Sequence, residues 1–244
     1  MTPEQTSDSQ IPGISDVLQK CKQLARDIKS QRPSRGPLPA GIYPTFPDPA
    51  VTNRLVQIYF DSFESCLRIL HFPSFRAEYV GYMKDPGTAK TSFVVILILV
   101  MSNASSLIED AGLQQELRAK SRSWIHVAQS WISAPIEKDR LSIEGLQIYC
   151  LLLLARQVNC VGADLVWISA GSLMRMAIQM GLHQDPDHLG GMARLQKEMR
   201  RRLWYTILEL NVQAALDSGM RPMVTGDDFN TRPPLNLNDE DLDN

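Results

Sequence analysis

The sequence predicts an all-α protein, and three observations lead to that class. Each long segment repeats its apolar residues at intervals of three or four, the spacing of one helix face. No segment alternates apolar and polar residues as a half-buried strand does. Aromatic residues make up only 7% of the 244 residues, whereas leucine, isoleucine and methionine are plentiful, a composition that leans towards helix. With 44% hydrophobic residues, the chain can form one large helical core.

The N-terminal segment, residues 1–37, contains one short amphipathic helix. Its apolar residues recur at spacings of three and four between positions 14 and 28, which is the seam of a heptad repeat. About two heptads are too few to hold a coiled coil alone. Pairing with a second chain and packing on its own domain therefore both stay open. The seam consists of Ile14, Val17, Cys21, Leu24 and Ile28.

Proline then dominates the composition, with six prolines between positions 31 and 50. Such a stretch favours extended backbone, so residues 38–50 are predicted to be a linker without a folded element. The linker ends at Asp48 and Pro49, which form a suitable start for a helix. Asp48 can cap the helix, and proline is favoured at its first position.

Residues 51–232 are predicted to form the helical domain. A first helix extends from Val51 to about Leu67 and is interrupted at His71-Phe72-Pro73. A short helix follows, up to a turn at Asp85-Pro86-Gly87. Residues 91–108 are apolar on nearly every face, which indicates a buried central helix. Further helices are predicted at about 113–131, 142–157, 163–180 and 194–216.

The last residues, 233–244, begin with two consecutive prolines and are rich in acidic side chains. Few of them are apolar, so little burial offsets the entropy lost on ordering. The segment is predicted to be an extended acidic tail.

Charge, cysteine spacing and motifs exclude several functions. The net charge of -2 does not suit a binder of polyanions. The four cysteines are far apart in the sequence and form no C-x-x-C pair, so neither a zinc site nor a disulfide framework is predicted. The longest apolar run, Phe93–Met101, is much shorter than the roughly 20 residues of a membrane span. No phosphate-binding loop, dinucleotide motif or hydrolase motif occurs, so the chain is not predicted to be an enzyme.

Two clusters of charged residues invite a chemical interpretation. Arg200-Arg201-Arg202 could suggest contact with nucleic acid, but successive side chains of a helix point about 100° apart. Structural ion pairing is therefore predicted, with Glu198 placed to pair with Arg202 four residues later. The second cluster could ligate a metal, but its loop contains one proline and two glycines and offers little rigidity, so no metal site is predicted. It consists of His183, Asp185, Asp187 and His188.

A ligand pocket is the remaining candidate site. Large apolar side chains of two helices could line it, although residues at helical spacing more often form plain core. The candidates are Trp167, Met174, Met180 and Trp204, with Met176 and Met199 beside them.

Several short segments occur in an order that is typical of one family. The first is a Tyr-Phe pair followed by His71, Pro73 and Phe75, and the second is a Ser-Ile-Glu helix start at Ser142. Next come Gly181-Leu182-His183 after a methionine, and Glu198 followed by Arg200, Arg201, Arg202 and Trp204. The last two are a turn with Gly219 and Pro222 and a final Asn-Asp-Glu-Asp-Leu segment. Over residues 38–244 the chain resembles the middle homology region of fungal zinc binuclear cluster transcription factors. It departs from the family pattern at Tyr205, where a second tryptophan is usual, and in the turn between Gly219 and Pro222, which is one residue longer.

The resemblance implies a regulatory domain of a transcription factor in the nucleus. The DNA-binding module of this family is a six-cysteine run that binds two zinc ions, and no such run occurs in the sequence. The resemblance therefore implies no cofactor in this chain, and contact with DNA only indirectly. It also implies a homodimer or heterodimer with a zinc cluster factor, and a small-molecule inducer.

Three hypotheses follow from these observations. The first is a transcription regulator module that acts through a partner or as part of a larger factor. The second is a small-molecule-sensing helical domain, or a helical enzyme on the same scaffold. The third is a non-functional gene-model fragment that does not fold by itself.

Overall fold

The computed structural model describes residues 14–30, 38–133, 141–162 and 165–242. The chain divides into two compact units, of which the second begins at Leu38. The first unit contains helix α1, Ile14–Ser30, and the side chains described in it, 16–27, are all exposed. The predicted heptad seam lies on this helix, and Val17 and Leu24 are 59% and 60% exposed.

Helices are the only regular secondary structure among the described residues of the second unit, which contain no strand, and the all-α prediction is confirmed. Helix α2 continues through a π-helical turn, Phe60–Glu64, directly into the short α3. Single 3-10 turns lie between several of the longer helices. The α-helices of this unit are α2 (Pro49–Tyr59), α3 (Ser65–Leu67), α4 (Phe72–Lys84), α5 (Thr91–Ala104), α6 (Ala111–Ser133), α7 (Ile143–Val158), α8 (Val166–Gln179) and α9 (Arg194–Asp217).

Helix α5 forms the centre of the core, because every residue from Phe93 to Ala104 is buried. It packs against α2, α6 and α7, and α7 in turn packs against α8 and α9. A helix that is apolar on all faces avoids contact with water only when other helices cover every face, and α5 is covered in this way. The predicted central helix is therefore confirmed, although it ends at Ala104 and continues only as a 3-10 turn.

Two predicted helix starts have the expected capping bonds. Asp48 Oδ1 accepts from the backbone N–H of Ala50 at 2.9 Å, with Pro49 in the first turn. Ser142 Oγ accepts from the N–H of Gly145 at 3.1 Å. Each bond pairs one of the backbone donors that the first turn of a helix leaves without an intrahelical acceptor.

The prediction of an extended linker at residues 38–50 is wrong. Residues Ala40–Thr45 form a 3-10 helix, and Leu38 and Ile42 are buried in the core at 8% and 2% exposure. The Trp124 indole of α6 donates to Thr45 Oγ1 at 2.8 Å and fixes this segment to the domain. The high proline content suggested extended backbone, but burial of the apolar residues Leu38 and Ile42 favours a folded segment.

Within the described residues, no helix is both long enough and apolar enough to cross a membrane.

Candidate functional site

The residues of the segments that occur in the family-typical order are called the signature residues from here on. The turn after α8 contains three of them, Gly181, Leu182 and His183. Gly181 has a φ of 73°, a left-handed conformation that glycine adopts without steric cost. The N–H of Leu182 donates to Ala177 O at 3.0 Å and that of Gly181 to Ile178 O at 2.9 Å, the two bonds of a Schellman motif. The turn buries Leu182, which is 1% exposed. The predicted helix stop at this glycine is confirmed.

The three consecutive arginines of α9 contact three different parts of the domain. Arg200 Nη2 donates to the carbonyl of Met180, at the end of α8, at 2.6 Å. Arg201 and Arg202 are buried and form ion pairs with carboxylates. Because consecutive side chains of a helix point about 100° apart, the three guanidinium groups do not share one surface. They do not form a continuous strip that could follow a phosphate backbone.

Arg201 and two aspartates form the first ion-pair cluster. Arg201 donates to both oxygens of Asp185, at 2.9 and 3.1 Å, and to Asp187 at 2.9 Å. Lys197 also donates to Asp187, at 2.8 Å. The hydrogen bonds from Arg201 hold the pKa of Asp185 well below its usual range, although burial opposes this effect. The cluster fixes the loop after α8 to the first turns of α9.

The candidate metal ligands of the sequence lie in and around this cluster. Asp185 also accepts from the N–H groups of Asp187 and Arg232, at 3.0 and 2.9 Å, so both its oxygens have protein donors. His188 is exposed in the 3-10 turn that follows. Among the described residues, no group of three or more metal-ligating side chains could hold an ion. The loop is more rigid than its proline and glycines suggested, because Asp185 is fully buried in it.

His183 and Trp204 lie next to each other beneath the end of α8. Their ring centroids are 6.3 Å apart, and the carbonyl of His183 accepts from Asn230 N at 3.0 Å. His183 Nδ1 and Trp204 Nε1 are both buried without a hydrogen-bond partner among the described residues. Trp204 packs edge-on against Phe229 at 5.4 Å. The tryptophan of the signature is thus a core residue.

Arg202 lies at the centre of the second ion-pair cluster. It donates to Glu198 at 3.2 Å and to Asp239 at 2.6 Å. The Arg202 and Glu198 side chains are each 1% exposed, so the charges are almost fully removed from water. A buried charge needs a partner of opposite sign and a full set of hydrogen bonds. The predicted pairing of Glu198 with Arg202 is present, and the second partner of Arg202 comes from a distant segment.

Asp239 joins three separate parts of the chain. Its carboxylate accepts from Arg202, from Arg68 at 2.8 Å and from the N–H of Phe72 at 2.7 Å, which caps α4. His71 Nε2 lies 3.2 Å from the carbonyl of Asp239. Burial alone would raise the pKa of Asp239, but the hydrogen bonds from Phe72 and Arg202 lower it. Arg68 reaches this site from a left-handed backbone with a φ of 51°, which is uncommon outside glycine.

The closing segment, defined here as residues 229–242, has no helix between residues 231 and 238, as an extended tail requires, but it is held against the domain, which the prediction of a tail at 233–244 did not include. The N–H of Leu235 donates to Glu198 Oε1 at 3.0 Å, and Leu237 O accepts from Arg68 and Arg202 at 3.2 and 3.1 Å. Leu242 is 2% exposed. The acidic composition suggested a solvated tail, but Asp239 lies between the two arginines, and a buried leucine anchors the end.

Glu64 is a buried acid that the sequence pattern did not reveal. It is 6% exposed, and its two oxygens accept from Tyr59 OH at 2.8 Å and from Leu70 N at 2.7 Å. Burial raises its pKa to about 8, although both hydrogen bonds act in the opposite direction. The π-helical turn that ends at Glu64 was a possible signal, but its spacing resembles an ordinary helix in the sequence. Glu64 fixes the chain between α3 and α4.

A cavity of about 500 Å³ opens among α4, α5, α7 and the start of α9. Its floor is apolar, and each floor residue is at most 7% exposed. Its wall and rim carry His71, Glu78, Glu144, Gln147 and Arg200, among other polar side chains. The floor consists of Leu70, Phe75, Phe93, Ile96 and Met199.

The four residues predicted to line a ligand pocket do not line this cavity. Met174 and Trp204 are fully buried in the core, while Trp167 and Met180 are partly buried on α8 and at its end. Of the six side chains considered, only Met199 contributes to the cavity. Helical spacing identified apolar faces, but it did not show which faces meet. The cavity lies beside His71 and Phe75 instead.

The other signature residues have structural positions. Pro73 lies in the first turn of α4, where a proline leaves no donor unpaired. Phe75 packs against Phe60 and Phe93, with centroids 5.0 and 5.5 Å apart. Gly219, with a φ of 64°, ends α9, and Pro222 is exposed just beyond it.

Comparison with known proteins adds a family match. Residues 56–244 match the family model described as "Fungal specific transcription factor domain". The matched range contains both ion-pair clusters and the cavity. No solved structure matches the chain.

Among characterised relatives, the transcription factor asR3 of Sarocladium schorii is 41% identical over 96% of this chain and 30% of its own length. The transcription factor lepE of Aspergillus flavus is 38% identical over 91% of this chain and 27% of its own. The Fusarisetin A cluster transcription factor fsa6 of a Fusarium species is 30% identical over 83% of this chain and 28% of its own. The chain thus spans less than a third of the length of these relatives.

Proposed function

We infer that this chain, which belongs to the fungal specific transcription factor domain family, regulates transcription as the middle regulatory domain of a zinc cluster factor. It acts as part of a larger factor or through a partner that carries the DNA-binding module, because no six-cysteine run occurs in its sequence. The observation that supports this most strongly is the family match over residues 56–244. The family and the names of the relatives are those of transcription factors and not of enzymes.

The geometry around the arginines is consistent with a regulatory rather than a DNA-reading role. Arg201 and Arg202, the most basic feature of the signature, are 7% and 1% exposed and paired with carboxylates. Proteins that bind DNA need exposed cations to neutralise phosphates. Contact with DNA is therefore assigned to a module outside these residues.

A tethering experiment tests this function. The chain is fused to a DNA-binding module of unrelated origin, and a reporter gene with the matching operator is measured in a fungal host. We expect the fusion to change reporter output severalfold relative to the module alone. A fusion of the variant Arg202→Met, which disrupts the second ion-pair cluster, is the matched control. It should not change reporter output relative to the DNA-binding module alone. Identical output from the fusion and the module alone would contradict the proposal.

Pairing through α1 is the proposed mode of association. The seam residues Val17 and Leu24 are more than half exposed, and a/d positions of this kind pack in coiled-coil dimers. The expected result is a dimer in light scattering that Leu24→Asp converts to a monomer. The exposed position Gln19 lies off the seam, and Gln19→Asp should leave the dimer intact. A monomeric wild-type chain at all concentrations would exclude pairing of this chain with itself.

The target genes are proposed by analogy with a relative. The name of fsa6 assigns it to one gene cluster, and we expect this chain to control a cluster of neighbouring genes from the nucleus. Transcript sequencing after deletion of the gene, together with microscopy of a fluorescent fusion, tests both statements. Scattered changes without a contiguous block of genes would contradict the first, and a fusion excluded from the nucleus the second.

A further inference from the structure

Arg200 is an incompletely paired cation in the wall of the cavity. Its Nη2 donates to Met180 O, but its Nε is buried and has no acceptor among the described residues. Burial lowers the pKa of Arg200, because removal from water disfavours its charged form. A buried donor without an acceptor costs free energy that a ligand oxygen can recover.

The remainder of the cavity suits an apolar molecule of modest size. Its volume of about 500 Å³ lies in the range of small-molecule sites, about 300–1,000 Å³. The floor presents the rings of Phe75 and Phe93 and the aliphatic chain of Ile96, all nearly excluded from solvent. Such a surface favours a ring system or a branched hydrocarbon body.

The rim limits the charge that a ligand can carry. Glu78 and Glu144 are exposed at the cavity, and Glu78 lies 3.8 Å from Lys90. Arg200 is the only arginine or lysine among the described residues that line the cavity. One half-buried cation in the wall and two carboxylates at the rim favour a ligand with a single negative charge and disfavour a polyanion.

We propose that this cavity binds a small molecule with an apolar body and one acidic group, such as a carboxylate, whose oxygen accepts from Arg200 Nε. This proposal rests on the proposed function in one respect only, since the ligand is inferred to be a signal for the regulator. His71 lines the cavity and also contacts Asp239, so a bound ligand lies next to the residues that hold the closing segment.

Matched aromatic probes test the charge preference on the purified chain. Naphthalene-2-carboxylate, naphthalene-2-methanol and naphthalen-2-ylmethylamine share one ring system and differ in the charge of the attached group. Calorimetric titration should give the tightest binding for the carboxylate, by roughly ten- to a hundredfold over the alcohol, as a charge-assisted hydrogen bond implies. The amine should bind no better than the alcohol.

Three variants and one control variant separate the roles of charge and space in ligand binding. Arg200→Gln should abolish the preference for the carboxylate while the alcohol binds as before, and Arg200→Lys should keep part of it. Ser92→Trp, which fills the cavity from its wall, should abolish binding of all three probes. Arg194→Gln, an exposed change on the same helix, should alter nothing. Thermal melts check that each variant is folded. If Arg200→Gln does not fold, the binding measurements on Arg200→Lys and Ser92→Trp still test the proposal.

The proposal is overturned if no probe binds, if the carboxylate and alcohol bind equally, if the amine binds tightest, or if Ser92→Trp binds the probes normally. These titrations contain no DNA and no partner. A negative result therefore leaves the tethering experiment unaffected, and a silent reporter leaves the binding result unaffected.

Discussion

Helix α5 and the contact between α9 and the closing segment are both buried, yet they exclude water in different ways. From Phe93 to Ala104 the helix is surrounded by apolar side chains, and its contribution depends on packed volume. The second region buries Glu198 and Arg202 and partly buries Asp239, and its contribution depends on the pairing of opposite charges, although Glu198 Oε2 has no hydrogen-bond partner among the described residues. The first region tolerates apolar side chains of suitable volume, whereas the second requires particular charged residues.

The two buried regions should also respond differently to pH. In the second region Asp239 has a lowered pKa, so its contribution to stability is present at neutral pH and is lost as the pH falls below the usual range of an aspartate. No ionisable side chain lies between Phe93 and Ala104, and this part of the core has no such dependence. Variants that disrupt one region or the other should therefore be distinguishable by their pH profiles.

The largest loss in the free energy of unfolding is expected for Arg202→Met. This change leaves Glu198 and Asp239 as buried acids without their main cation, which typically costs about 3–5 kcal/mol. Urea unfolding at pH 7 measures the loss. The exposed control Arg194→Met should change stability by about 0.5 kcal/mol or less. A loss for Arg202→Met as small as that of its control would show that the buried pair is not formed.

A cavity-forming change in α5 should lower the free energy of unfolding by as much as Arg202→Met or slightly less. Leu99 is fully buried, and Leu99→Ala should cost about 2–5 kcal/mol through lost burial and an unfilled space. Unlike Arg202→Met, it should lower stability by the same amount at pH 7 and at a pH below about 3.9, the ordinary pKa of an aspartate. A pH-dependent loss for Leu99→Ala would contradict the separation of the two regions.

Glu64→Gln tests how a buried acid with a raised pKa makes stability depend on pH. The folded pKa of Glu64 is raised from an ordinary value of 4.5 to about 8, so its protonated form favours the folded state. Wild-type stability should therefore fall relative to Glu64→Gln as the pH rises from 4.5 to 8, by at most about 1.4 kcal/mol per pH unit.

Stability curves for the two proteins at several pH values measure this difference. Asp61→Asn, an exposed change in the same π-helical turn, is the control and should give a curve parallel to that of the wild type. Parallel curves for Glu64→Gln as well would mean that Glu64 is not buried as described.

The smallest pair of effects concerns two glycines. Gly181 has a positive φ, and Gly181→Ala should cost about 1–2 kcal/mol because a Cβ is disfavoured in that conformation. Gly81 lies inside α4, and no neighbouring atom lies within 4 Å of the position that a Cβ would occupy there. Gly81→Ala should therefore stabilise the fold by about 0.5–1 kcal/mol. Opposite shifts in melting temperature are the expected result, and shifts of the same sign would contradict it.

The sequence revealed features that depend on near neighbours. The all-round apolar run at Phe93, the glycine after Met180 and the cap at Ser142 each act within a few residues, and each is in place. It did not reveal features that depend on distant contacts. Asp239 is separated from Arg68 by 171 residues, and no local pattern shows that an acid in a polar stretch will meet two arginines of distant segments.

The ligand pocket illustrates the same limit. Met174 and Trp204 lie on apolar faces of their helices, as their spacing indicated, but those faces are filled by core packing. The cavity formed where four helices leave space beside Phe75 and Met199, and that space depends on the angles between helices. Spacing along one helix contains no information about those angles.

A double-mutant cycle on Arg202 and Asp239 tests the central claim, that Arg202 joins the closing segment to α9 by pairing with Asp239. The cycle compares the unfolding free energies of the wild type, Arg202→Gln, Asp239→Asn and the double variant. With the two side chains 2.6 Å apart, the coupling should be about 0.5–3 kcal/mol. Additive effects, with a coupling near zero, would contradict the account, because the closing segment would then not be joined to α9 by this pair.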